Sequence, residues 1–295
     1  MEYRRLGRSG LKVSVVGLGT WLTFGRDQDR DNAVVDAAID EGINFFDTAN
    51  TDAKGQAEVH LGRALSRHRR DNLVIATKVW GPTGPGPNER GLSRKHLRAA
   101  CEASLRRLGV EAIDLYQCQR YDHDVTLDEV VSTMTDLVRE GKIHYWGVCG
   151  WDENQLHNVA QISDGLGREP LTAYQARYSL LDTEAAATLF PTCWQRSLGV
   201  IAYSPLAQGV LTCKYVGGGE PPAGSRLADE RYGRNARERY GERLQAGVVY
   251  ALQETGWTLG ASPAQVALAY VIRPSAATCA VFGASTPDQV RDNAG

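Results

Sequence analysis

The chain has 295 residues, 42% of them apolar and 23% charged, with a formal net charge of −2. That is enough apolar side chain for a sizeable core, which excludes a disordered chain. The near-neutral balance, without a long like-charge block, argues against a nucleic-acid footprint or an anionic membrane surface and favours a small solute as partner.

Tyr3 to Val13 reads as two short extended pieces around a Gly/Ser turn, a hairpin. Met1-Glu2-Tyr3-Arg4-Arg5 is not followed by a hydrophobic signal segment, and no apolar run approaches the ~20 residues that cross a bilayer. The expectation is a cytoplasmic protein with no membrane insertion. From Val13 onward, eight short β-rich runs appear: Val15–Leu18, Asn44–Asp47, Leu73–Lys78, Ile113–Gln117, Tyr145–Val148, Thr172–Ala176, Val200–Tyr203 and Thr278–Phe282. The segments between them, such as Asn32–Asp40, Ser93–Leu108, Leu127–Glu140 and Glu153–Ile162, space apolar residues three and four apart, as a helix packed on a sheet does. Short apolar strands alternating with helices imply parallel strands, and eight of them imply an α/β chain closed into one (β/α)8 TIM barrel over residues 1–295.

Two stretches stand apart. Trp80 to Gly91 is rich in Gly and Pro and reads as a loop over one end of the barrel. Gly217 to Glu242 opens on Gly and Pro and then carries Arg226, Arg231, Arg234, Arg237 and Arg239, with Arg243 just beyond; it reads as a long, mobile βα loop. Ser262-Pro263, a cap followed by proline in the first turn, opens a helix near the end of the chain. Cys101, Cys118, Cys149, Cys193, Cys213 and Cys279 form no C-x-x-C pair, so reduced, buried thiols are expected rather than disulfides or a metal site.

In such a barrel the chemistry gathers at the carboxyl ends of the strands. Asp47, Lys78, Gln119, Cys149-Gly150, Gln175, Ser204-Pro205-Leu206 and Gly283-Ala284-Ser285 all fall at or just beyond strand ends. Lys78 closes the apolar run Val74-Ile75-Ala76-Thr77, which carries its ammonium through the core toward that end; beside a carboxylate it tunes proton transfer.

The stretch from Gly42 to Glu58 is where the resemblance to a family is plainest. Asp47-Thr48-Ala49 followed by Gly55-x-Ala57-Glu58 resembles the second strand and loop of the aldo-keto reductases. Gly17-Leu18-Gly19-Thr20-Trp21-Leu22-Thr23-Phe24-Gly25, Gly91 to His96, Ser204-Pro205-Leu206-Ala207-x-Gly209 and Gly283-Ala284-Ser285 resemble the branch that includes the potassium-channel β subunits and their bacterial relatives. The resemblance implies a barrel floored by the hairpin, NADPH as cofactor, a small-molecule substrate and a homo-oligomer. It assigns Asp47, Asp52, Lys78 and Gln119 to the catalytic positions, with Asp52 where the family has its proton-donating Tyr and Gln119 where it has His. It also implies that Cys149, Gly150, Gln175 and Tyr203 hold and stack on the nicotinamide, although Tyr203 equally fits ordinary barrel packing, and that Thr20 and Trp21 contact the cofactor. The phosphates and adenine fall to Ser204, Leu206, Gln208, Lys214, Arg226, Ser285, Gln289 and Asn293, with Pro205 and Gly283 as further cofactor contacts. The family's longer tail beyond the last helix is not matched.

Two functions compete on this reading. One is an NADPH-dependent oxidoreductase acting on a carbonyl or conjugated carbonyl of a specialised substrate, a sugar nucleotide or a secondary metabolite of a bacterium. The other is a nicotinamide-binding redox sensor with vestigial chemistry. The proton donor stays open: Lys78 lowers the proton affinity of Asp52 while Asp47 raises it, and Tyr121, Lys78 or a water are the alternatives.

Overall fold

The structure is a computed structural model that describes residues 1–217, 219–230, 232–241 and 247–295. The hairpin forms as β1 (Tyr3–Arg5) and β2 (Lys12–Ser14), paired antiparallel. The eight β-rich runs become β3 (Val16–Gly19), β4 (Phe45–Asp47), β5 (Val74–Val79), β6 (Ile113–Cys118), β7 (Ile143–Cys149), β8 (Ala173–Arg177), β9 (Gly199–Tyr203) and β10 (Cys279–Gly283). Each pairs in parallel with the next, and β10 pairs with both β9 and β3, which closes the barrel.

Around it lie α1 (Gln28–Asp40), α2 (Gln56–Leu65), α3 (Arg94–Leu108), α4 (Leu127–Arg139) and α5 (Glu153–Ser163). Short α6 (Glu184–Thr188) and α7 (Phe190–Gln195) link β8 to β9. Between β9 and β10 run α8 (Gly233–Tyr240), α9 (Gly247–Leu259) and α10 (Pro263–Ile272), and α11 (Pro287–Ala294) follows β10. The starts are set locally: Ser93, Thr126 and Asp152 each accept a backbone N–H three residues on, and Ser262 forms a reciprocal capping box with Gln265 ahead of Pro263. None of the described helices is long and apolar enough to cross a membrane.

The two-residue period of the strands divides the core. Phe46, Ile75, Tyr116, Tyr174 and Val200 face outward and pack among helix residues such as Leu61, Leu97, Val131 and Leu156. Their chain neighbours Phe45, Val74, Leu115, Ala173 and Ile201 point into the barrel, where Leu6 and Val13 of the hairpin seal the floor. Two residues further along the same inward rows stand Asp47, Gln117, Gln175 and Tyr203, and Lys78 follows Ala76. Each inward row is thus apolar below and polar above, and the barrel presents a reactive end on a packed base.

Where α2 meets the end of α3 there is no room for a side chain at Gly62, because a Cβ there would lie 2.3 Å from the Leu108 carbonyl oxygen. Gly62→Ala is expected to lose roughly 1–3 kcal/mol through overpacking, read as a lower urea midpoint with an unchanged slope. An unaltered midpoint would mean that the two helices slide apart freely.

The stretch from Gly217 departs from the expected loop. It contains a tight turn at Arg226–Ala228 and the helix α8. Arg, Ala and Glu are good helix formers, and Leu227, Ala236 and Tyr240 are buried, so the segment has an apolar anchor. Only two buried apolar side chains, Ala236 and Tyr240, lie on the helix itself, too narrow a stripe to register as periodicity. Gly218, Arg231, Glu242 and Arg243 of the expected loop region lie outside the described residues.

Candidate active site

A cavity of about 710 Å3 opens at the carboxyl ends of the strands, a volume suited to a ligand of moderate size. At its base the Lys78 ammonium donates to Asp47 Oδ2 and, at 2.9 Å, to the Thr48 carbonyl. Asp47 Oδ1 accepts from Gln175 Nε2 at 2.9 Å and lies 3.4 Å from Gln117 Nε2. Both partners of the ion pair are only 8% exposed, and a buried pair is tolerated when its remaining lone pairs are satisfied, as they are for this carboxylate. Burial, the largest single influence, would lower the Lys78 pKa, but the charge and hydrogen bond of Asp47 together with the neighbouring Cys149 and Asp52 outweigh it and hold the ammonium above the ordinary lysine value. Lys78 is therefore a fixed cation.

Asp52 reaches the cavity from a short turn, Asp52–Gly55, whose next two residues adopt left-handed backbone, Ala53 at φ 47° and Lys54 at φ 57°. Such conformations cost of order 1 kcal/mol or more each, so this turn is held in place by its surroundings. The Thr20 hydroxyl, 2.8 Å from Thr48 Oγ1, lies 3.4 Å from Asp52 Oδ2. Burial pushes the Asp52 carboxyl up to about 7; Lys78 pulls it down, while Asp47 and Glu58 add to the rise. The competition between Lys78 and Asp47 is thus decided by a third effect, desolvation, and Asp52 titrates near neutrality. Glu58 itself is fully buried, held by Arg107 Nε at 2.6 Å and the Thr77 hydroxyl at 2.7 Å.

Cys149 Sγ lies 3.5 Å from Gln175 Oε1, and burial pushes its thiol up to about 12, so it is a neutral group beside the ion pair. Trp21, Gln119, Tyr121, Gly150, Tyr203, Ser204 and Gly283 also line the cavity. Thr20 is fully buried and does not line it. Pro205, Leu206, Gln208, Lys214, Arg226, Ser285, Gln289 and Asn293 do not line it; they lie in the segments that follow the adjacent strands β9 and β10. In the first of these, Ser204, Ala207 and Gln208 all have positive φ, and Gln208 Oε1 is buried without a partner among the described residues. Lys214 is exposed beside the Tyr215 ring, and Arg226 is partly buried with no ion pair among the described residues. In the second, Gln289 Oε1 accepts from the Ser285 backbone N–H at 2.8 Å, Thr286 caps α11 and Asn293 is buried.

A model of the aldo/keto reductase family matches residues 15–295. The chain belongs to the aldo/keto reductase family. Over 99% of its length and 90% of the relative's, it is 36% identical to a protein from Arabidopsis thaliana described as a probable voltage-gated potassium channel subunit beta. As a family of oxidoreductases, the aldo/keto reductases place redox chemistry on this barrel.

Sequence reasoning missed several residues of this aldo/keto reductase cavity. Gln117, fully buried, helps to hold Asp47, and Arg177, at the end of β8, lines the wall. Both lie on inward rows, so continuing the two-residue alternation to each strand end would have found them. Arg120 lines the cavity from a loop, and Asp152 and Gln155 line it from the capped start of α5; none lies on an inward strand row.

Proposed function

We propose that this aldo/keto reductase is an NADPH-dependent oxidoreductase that reduces a carbonyl or conjugated carbonyl of a specialised substrate, a sugar nucleotide or a secondary metabolite, with Asp52 as proton donor. The observation that carries this reading is a carboxyl that titrates near 7 in a cavity beside a fixed ammonium–carboxylate pair. A general acid works best when its pKa is near the working pH, and one typically contributes ~10²–10⁴-fold. Asp52 gives a proton to the developing alkoxide, and Lys78 stabilises negative charge at the same place. Asp47, itself held by two amides, fixes where the Lys78 cation sits.

The residues fit the cofactor. The segment after β9 has left-handed backbone at Ser204, Ala207 and Gln208, a conformation of the kind found in anion-binding concavities, and so suits phosphate. The unpartnered Gln208 amide oxygen suits an amine donor, and Arg226 suits a 2′-phosphate. Cys149, Gly150 and Gln175 border the place for the carboxamide and Tyr203 the ring. The nicotinamide, when bound, supplies the hydride.

Cofactor choice tests the clamp. Arg226→Ala is expected to weaken NADPH at least about tenfold in a fluorescence titration and to leave NADH nearly unchanged, since a charge-assisted contact contributes roughly 1.5–3 kcal/mol. Equal affinity for both cofactors in the parent protein would remove the role of Arg226.

The description of the Arabidopsis relative favours a second reading, a nicotinamide-binding subunit whose chemistry is vestigial. The two separate on turnover. Carbonyl-dependent oxidation of bound NADPH that slows as the pH rises through about 7 supports the reductase, because that is where Asp52 loses its proton. Tight binding without turnover on any carbonyl supports the sensor.

A further inference from the structure

Among the described residues, two guanidinium groups on the cavity wall have no acid to answer them. Arg177, half-buried at the end of β8, donates to the Tyr240 hydroxyl at 3.3 Å and lies 5.1 Å from the centre of the Tyr203 ring. Tyr240 is neutral and donates onward to Asp182 at 2.6 Å, while Arg239 pairs with the other oxygen of Asp182 at 2.7 Å. Arg177 is thus positioned through α8 but not neutralised by it. Arg120, just past β6, lies 5.4 Å over the Trp80 ring. Among the described residues neither guanidinium forms an ion pair.

The acids of the cavity are committed elsewhere. Asp47 holds Lys78 and two amides, and Asp152 caps α5 through the Gln155 N–H at 2.9 Å. Asp52 sits on Thr20. Arg177 is half-buried, where a guanidinium gains most from an anion, Arg120 stands exposed at the rim, and the planar fork of each suits a phosphoryl or carboxylate group in particular.

We propose, resting on the reading of this cavity as a carbonyl-reducing site, that the substrate carries an anionic group, phosphoryl or carboxylate, held by Arg177 and Arg120. Tyr240 and Tyr203 keep the Arg177 fork in place before the substrate arrives, which lowers the entropy lost on binding. The two arginines then decide which carbonyl compounds enter, and neutral ones of similar size bind weakly.

The test is calorimetric titration of inorganic pyrophosphate, and separately of malonate, into protein saturated with NADPH, so that the cofactor's own phosphate contacts are already filled. At least one anion is expected to bind, and Arg177→Met and Arg120→Met are each expected to weaken it about tenfold, the worth of one charge-assisted contact. Binding of pyrophosphate alone assigns a phosphoryl group, and binding of malonate alone a carboxylate. No binding of either anion, or binding unchanged in both variants, overturns the proposal. Arg120 is exposed, so its variant folds even if Arg177→Met does not. If NADPH itself fails to bind, the cofactor reading falls separately. The same titrations on the free protein still decide the anion: loss in the Arg120 and Arg177 variants supports it, and loss only in Arg226→Ala overturns it.

Discussion

Lys78→Met is expected to lower turnover at least about 100-fold and to cost roughly 3 kcal/mol of stability. The activity loss follows from the proposed role, since a positioned proton-transfer or charge-stabilising group typically contributes 10²–10⁴-fold. The stability loss is independent of that role. Asp47 is 8% exposed, and removing its cation leaves a buried carboxylate, a change that typically costs 3–5 kcal/mol. Gln175 still donates at 2.9 Å and Gln117 remains within 3.4 Å, which places the loss at the lower end. The double variant Asp47→Asn with Lys78→Met removes both charges and is expected to regain most of the stability while staying inactive. Steady-state turnover and urea unfolding of the three proteins check this. Native turnover in Lys78→Met would show that the chemistry lies elsewhere in the barrel.

Asp52→Asn is expected to make the protein more stable at pH 8 and less active below pH 7. The carboxyl ionises at about 7 in the folded chain against 3.8 when unfolded, so the folded state holds the proton more tightly. A raised pKa contributes stability that is fully present below 3.8 and is lost as the pH climbs toward 7. About three pH units at 1.36 kcal/mol each set an upper limit of roughly 4 kcal/mol on that loss. Asparagine has no charge to bury and escapes it. The stability gap between Asp52→Asn and the parent protein should therefore widen from pH 4 to pH 8 in thermal or urea unfolding. The parent's turnover should fall through the same upper region, and the variant should be slow throughout, by at least about tenfold. A gap independent of pH would mean that Asp52 stays ionised in the fold and donates no proton.

Much of the architecture was legible in the residues themselves. Each of the eight β-rich runs became a barrel strand, and Ser93 and Ser262 start helices as their types require. These features are settled over a few residues by caps and by the two- and near-four-residue spacings of apolar side chains. That Asp47 closes its strand was equally plain, since strand ends follow from where the apolar runs stop, while Lys78 stands one residue short of the end of β5 at Val79. The helix α8 was not legible, because its Arg-rich surface hides the two apolar side chains that dock it.

The proton affinity of Asp52 belonged to the tertiary structure alone. It is set by burial, by the charges of Lys78, Asp47 and Glu58 and by the Thr20 hydroxyl, which come from separate elements. Chain order carries neither the depth of a side chain nor the distances that weight those charges. The same holds for the two amides on Asp47 and for the unpaired arginines of the cavity wall. Sequence by itself determined where the barrel strands and the capped helices lie, because period and capping are local. Only the closed barrel decided their charge states and partners, because burial and Coulomb interactions depend on what the other strands bring alongside.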